Sequence, residues 1–333
     1  MASHHIDMEP SDSASDPNSS VPTPDSNAPV TSTTLDLPST VRVLETPYGS
    51  KVYLVGTAHF SPLSQEDVSK VIQAVRPNIV MVELCSGRAG ILQMTEEKLT
   101  EEVQNISFQK MRSIMEEQGT IQGLLCVLLL RLSKQVTEVL GMAPGGEFRR
   151  AFKEVAKIPG CVIHFGDRPL VVTIKRAVHF LSWWDLIVLS FSLLFSDTKI
   201  NQEFVEKCKN DDVLDEMFKE FSTSYPVIGE VFVHERDRYL TYSLQIASAA
   251  RFTHPETGVE TPATVVGIVG IGHLPGIVKL WGTVSEEDIY PICGVPPPSR
   301  STKLIKFTVK VSLASLVIYG CSKLFPSIFR LRR

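Results

Sequence analysis

Two Gly-x-x-His motifs stand far apart in the chain, Gly56-Thr57-Ala58-His59 and Gly270-Ile271-Gly272-His273. Each follows an apolar run and precedes a helix-like pattern, so each imidazole is expected just past the carboxyl end of a strand. Open α/β sheets bind their ligands there. Glu83 sits in the apolar run Met81-Val82-Glu83-Leu84, and a carboxylate so placed needs a partner, because burying an isolated charge is prohibitive. Asp167-Arg168 follows Gly166 at the end of a fourth such run. Two histidines and one carboxylate are a donor set for a catalytic divalent metal with a position open to water. His59, Glu83 and His273 therefore form the candidate metal site, with Zn, Mn or Co as candidate ions. Plainer readings stand beside it. Each His could be a hydrogen-bonded core group, Glu83 could pair with Arg88 or Arg168, and Asp167-Arg168 could be a buried ion pair holding loops. Gly-x-x-His recurs by chance, so the joint placement on one rim carries the functional reading.

The elements that must place these groups are legible as periodicities. Val41 to Leu44 and Lys51 to Val55 alternate around Thr46-Pro47-Tyr48-Gly49, which predicts a β-hairpin. Val68, Val71, Ile72 and Val75 make a helical stripe, with Ser64 as the expected cap and Pro77 as the stop. Asn78 to Leu84 reads as a buried strand, giving a β–α–β unit with two parallel, adjacent strands and a right-handed crossover. Thr95 to Lys157 is mostly helix-like, broken at Gly141 to Gly146, and is expected to form a lid or wall over the rim. Cys161 to Phe165 is the next strand. Helical stretches follow at roughly 170–195, 200–222 and 228–251. Ala263 to Gly270 is a Val- and Gly-rich strand, and Pro275 opens a short helix ending near Trp281. The expected fold is α/β: a central mixed sheet with parallel strands, a hairpin edge and a large helical complement.

Composition narrows the function. Hydrophobic residues make up 43% and charged residues 21%, enough apolar surface for a large core. Residues 1–38 are rich in Ser, Asp, Pro, Thr and Asn, and this segment is expected to be disordered. With no apolar leader and no arginine, it fits neither a signal nor a transit peptide. Residues 1–40 hold six acids and no Lys or Arg, which turns the chain's −4 into +2 for the remainder. No strongly basic domain results, so a nucleic-acid partner is not expected. Six cysteines form no C-x-x-C pair, which excludes the common cysteine zinc modules and suits a reduced compartment.

Residues 39–298 read as the folded domain and 299–333 as a membrane segment with basic flanks. Leu186 to Ser196 has only 11 uncharged residues, too short to span at ~20 residues per crossing, and is expected in the core. Leu304 to Phe325 counts 22 residues, long enough if Lys306 and Lys310 snorkel to the headgroups. A short tail with basic flanks suits a thin bilayer with anionic lipids, so the expected location is the cytosolic face of the mitochondrial outer membrane. An amphipathic helix on a cytoplasmic protein is the alternative.

His234-Glu235 lacks the second His of H-E-x-x-H, since position 238 is Arg, and no G-x-S-x-G elbow or Walker loop occurs. Glu235-Arg236-Asp237-Arg238 is a solvated face by default, though Arg236 or Arg238 could reach an anionic group in the cleft. Taken in order, VYLVGTAHFS, VMVELC with Arg88 behind it, GMAPGGEF, HFGDRP, HERDRYL and VVGIVGIGHLPGI resemble TraB domain-containing proteins, in particular their eukaryotic, intracellular branch. The resemblance covers roughly residues 41–298. It implies the TraB/Tiki/erythromycin-esterase-like fold. It also implies, through the Tiki proteins, a metal-dependent protease-like site at His59, Glu83 and His273. Arg88 and Arg168 would then stabilise an oxyanion, with Glu83 as ligand or general base. Tiki proteins carry a leader and this sequence shows none, so their Wnt substrate is not transferred. The expected partner is a peptide or protein, as substrate of a hydrolase or as partner of a non-catalytic membrane-bound adaptor.

Overall fold

The computed structural model describes residues 36–58, 61–95, 145–182, 225–253 and 258–297, with isolated residues between 98 and 130, between 184 and 188, and at 223 and 315. His59, most of the 95–144 stretch, residues 200–222, and the segments 1–35 and 299–333 (Ser315 apart) lie outside the described residues. The lid and the membrane segment therefore lie largely or wholly outside them.

The sheet has five strands: β1 (Val41–Glu45), β2 (Lys51–Thr57), β3 (Ile79–Val82), β4 (Val162–Phe165) and, late in the chain, β7 (Thr264–Gly270). Their order is β1-β2-β7-β3-β4, antiparallel between β1 and β2 and parallel elsewhere. The hairpin edge and the α/β class are as expected. One expectation fails: β2 and β3 are parallel but not adjacent, because β7 lies between them. The reason is burial. Residues Val265 to Gly270 are all buried, and only the central position hides both faces and both edges of so apolar a strand.

Helix α1 (Pro62–Val75) starts earlier than its stripe suggests. Ser61 is the cap, accepting a bond from the Ser64 amide, and Pro62 opens the first turn, where its missing N–H costs nothing. The Ser64 hydroxyl accepts instead from the Ala58 amide at 3.0 Å, tying the helix to the end of β2. The helix stops at Arg76, whose φ of 45° is left-handed, just before Pro77. Helix α2 (Gly146–Val155) packs beside α1 over one face of the sheet. Val55, Val80, Val82, Val266 and Ile268 point into that core with Val68, Ile72 and Phe148.

The opposite face takes the alternate residues: Val52, Leu54, Ile79, Met81, Val265 and Val269. They pack under α5 (Glu235–Ala249) and α6 (Leu274–Leu280), chiefly through Leu240, Leu244 and Ile277. Each such fully buried aliphatic side chain contributes about 1.5–3 kcal/mol. Helix α3 (Leu170–Phe180) follows β4, and α5 is entered through a one-turn helix α4 (Pro226–Gly229) and a π-helical turn (Glu230–His234). A small hairpin of β5 (Arg251–Thr253) and β6 (Glu260–Pro262), and α7 (Glu286–Cys293), were not expected from periodicity. β5 and β6 have three residues each, too few to alternate. The capping box of α7 pairs Ser285 with Asp288.

Candidate functional site

The parallel strands end in line. Thr57 pairs with Gly270 across β2 and β7, and Val82 pairs with Ile268 on one side and Phe165 on the other. The Thr57 hydroxyl also donates to the Val269 carbonyl at 3.1 Å, so the two Gly-x-x-His motifs leave the sheet side by side. Gly56 serves close packing here. A Cβ at that position would lie 2.0 Å from Cδ1 of Leu274, the residue after His273. The first glycine thus makes room for the helix that carries the second histidine. His59 itself lies outside the described residues.

Glu83 is the first residue beyond β3 and is 5% exposed. Its backbone amide donates to Ile268, and its carboxylate Oε2 accepts from the Gly270 amide at 2.6 Å. The other oxygen, Oε1, accepts from Nη2 of Arg236 and lies 3.3 Å from Nε2 of His273. Arg236 also donates through Nε and Nη2 to Asp167 at 3.1 and 2.9 Å, and its Nη1 lies 3.1 Å from the same His273 Nε2. On the far side of the ring, Nδ1–H donates to Oδ1 of Asp237 at 2.6 Å. Glu83, Asp167 and His273 are thus brought together as the rim argument expected, and the plainer pairing of Glu83 with Arg88 or Arg168 does not occur. The solvated-face expectation for residues 235–238 is corrected. Glu235 and Asp237 are buried, while only Arg238 keeps to the outside, against Glu230.

The Asp167-Arg168 dipeptide is divided between two clusters. Arg168, fully buried, turns away from the rim. It donates to Glu235 at 2.6 Å, to the carbonyls of Ile292 and Val231, and to Thr173. Arg176 joins it on Glu235 at 2.6 and 2.8 Å and caps the carbonyls of Pro291 and Gly294 behind α7. Arg88 is exposed on the 3-10 turn Ser86–Leu92 that follows β3. The guanidinium at the rim is Arg236. Its signal in the sequence was the run of charges in an otherwise apolar helix, and the π-helical turn just before it is a feature frequent at functional sites.

The electrostatics follow from this packing. Burial disfavours a charged His273, but the Glu83 carboxylate and hydrogen bonds to Asp237 and Glu83 outweigh it and lift the ring to about 9. Burial likewise opposes the Arg236 charge, and Glu83 and Asp167 more than restore it, holding the guanidinium firmly protonated. Burial pushes Glu235 up, yet Arg176 and Arg168 keep it below the usual carboxylate range. A charged ring donates Nε2–H to Glu83. A neutral one, with its proton on Nδ1, accepts from Arg236. The two clusters together hold four carboxylates (Glu83, Asp167, Asp237, Glu235), three arginines (Arg168, Arg176, Arg236) and the His273 ring, so among the described residues the charges balance when that ring is protonated.

The fold and this rim define a class: an α/β protein with a mostly parallel sheet whose strand ends gather a Glu, a His and their buried counter-charges. The chain belongs to the TraB/PrgY/gumN family, whose model matches residues 43–291. It is 44% identical over 289 residues to TraB domain-containing proteins of Homo sapiens and Mus musculus, covering 86% of this chain and 76% of each relative. An uncharacterized protein of Methanocaldococcus jannaschii is 27% identical over 287 residues, covering 84% of this chain and 66% of its own.

Proposed function

We propose that the rim binds a divalent metal ion through Glu83 and His273, joined by His59, and that the protein is a metal-dependent hydrolase of peptidase type. The observation that carries this reading is the 3.3 Å approach of Glu83 Oε1 to His273 Nε2 at the strand-end rim. An oxygen and a nitrogen donor on rigid strand ends fit the ion chemically. Among the described residues no group of three or more His, Cys, Asp or Glu completes a metal site; His59, at the end of the first Gly-x-x-His motif, is the third donor proposed. When bound, such an ion would polarise a carbonyl and acidify a water.

The chain's own groups then have separable tasks. The Gly270 amide fixes one oxygen of Glu83 and leaves the other directed at His273, where it serves as ligand or takes a proton from water. Arg236, the most exposed member of the cluster at 17% of its side chain, takes over the oxyanion role expected of Arg168. Arg88, exposed on the turn after β3, would meet an anionic group on a substrate. Peptide or protein is the proposed substrate class. Segment 299–333 would hold the domain on the cytosolic face of the mitochondrial outer membrane.

Metal analysis and an unbiased peptide-cleavage screen on wild type, His59→Ala and Glu83→Gln test the reading. Stoichiometric metal and turnover in the wild type, both lost in the variants, are expected. Equal metal content and turnover in all three would sink it and leave a membrane-bound adaptor. Deleting residues 301–333 should release the folded protein to the cytosol; retention on mitochondria would overturn the anchor.

A further inference from the structure

We infer that Asp237 is the positioning residue for His273, and that Gly276 is what allows it to be. This deepens the reading above and rests on His273 being a working group of the rim. The Asp237 side chain is buried, with Oδ1 2.6 Å from Nδ1 of His273. A carboxylate only accepts, so the ring proton is fixed on Nδ1 and Nε2 is turned toward Glu83 and Arg236. A second-shell carboxylate of this kind sets the orientation and the donor strength of a histidine ligand.

Gly276 supplies an independent observation. It lies inside α6, where glycine is a poor helix former, and its φ is not left-handed, so nothing in its own backbone calls for glycine. A Cβ there would stand 2.0 Å from Oδ2 of Asp237 and 2.4 Å from its Cγ. With a side chain there, the buried, hydrogen-bonded carboxylate or the helix itself would have to shift. The sequence gives up helix propensity at one position, and the space gained is filled by the Asp237 carboxylate. His273 begins the same short helix as Gly276. The helix therefore carries both the ring and the notch that seats the ring's partner.

The test uses the full chain in detergent, labelled with 15N-histidine, and reads the Nδ1–H resonance of His273, assigned with His273→Gln. Wild type should show a far-downfield, slowly exchanging proton without any metal. Asp237→Asn and Gly276→Ala should lose or shift it strongly while near-ultraviolet circular dichroism stays native. Co2+ binding, followed by its visible absorbance, should weaken ~10–100-fold in both variants. If wild type binds no Co2+, the metal reading fails, and the proton resonance still judges this inference. An unchanged resonance in Asp237→Asn or Gly276→Ala overturns it. So does a resonance lost only together with the native circular dichroism, while Asp237→Glu does not restore it.

Discussion

Glu235 and Arg236 are neighbours in the chain, yet they serve two buried clusters with opposite charge balance. Around Glu235, two arginines converge on one carboxylate, and their remaining donors are used on backbone carbonyls and a threonine. Around Arg236, one guanidinium and one imidazole face three carboxylates. The first cluster joins α3, α5 and α7, and its positive charges are arginines that cannot leave. The second stands at the strand ends, and its balance depends on the His273 ring, whose charge is a titratable proton. That difference separates a structural ion cluster from a candidate site more clearly than burial does, because both clusters are buried.

The largest expected effect lies in the closed cluster. Arg168→Ala leaves Glu235 with Arg176 alone and takes the donor from the buried carbonyls of Ile292 and Val231 and from Thr173, which together should cost about 3–5 kcal/mol, read as a lowered midpoint in chemical denaturation. A loss under 1 kcal/mol would mean that the cluster is not holding the fold. Glu83→Gln should cost less, about 1.5–3 kcal/mol for a charge-assisted hydrogen bond, since Arg236 keeps Asp167. It should nonetheless weaken divalent-metal binding at least ~10-fold. A variant as unstable as Arg168→Ala with metal binding intact would invert the comparison.

A third cluster shows how closed clusters respond to acid. Glu154 on α2 is buried, and that alone would raise its pKa. Hydrogen bonds from Gln73, Lys157 and Ser69 and the Lys157 charge instead hold it at about 2. Its folded pKa lies below the unfolded value near 4.5, so its stability is present above that pH and lost as pH falls toward about 2. Glu154→Gln should therefore flatten the acid limb of the denaturation profile between those values and leave metal binding unchanged. An acid limb of undiminished slope would refute this. The smallest effect is expected for Arg238→Ala. Its pair with Glu230 is exposed and worth under ~0.5 kcal/mol, so a larger shift in midpoint would contradict the division made here between α5's inner and outer charges.

Much of this arrangement was legible in the sequence. Strand ends follow from apolar runs that stop at glycine (before Asp167 and His273) or at a charge (Glu83), and so these three could be assigned to one rim from the sequence alone. The strand order could not, because β7 enters the centre of the sheet from the far end of the chain. Local periodicity carries no information about such a pairing. The charges in α5 mislead for a similar reason, apart from Arg236, whose reach toward an anionic group in the cleft is as expected. Glu235, Arg236 and Asp237 look like a solvated face until the partners that bury them, Arg168, Glu83 and His273, are brought in from 36 or more residues away. Gly276 and the Ser285-Asp288 box were visible as residues, but only the fold gives the first its meaning.

The central claim is that the rim exchanges its balancing charge while the closed clusters do not. Titrating Co2+ into the full chain and into Glu83→Gln, His273→Gln and Glu154→Gln tests it most directly. The wild type and Glu154→Gln should bind with equal affinity, and Glu83→Gln and His273→Gln should bind at least ~10-fold more weakly. Equal binding by all four chains, or none by the wild type, would contradict the claim.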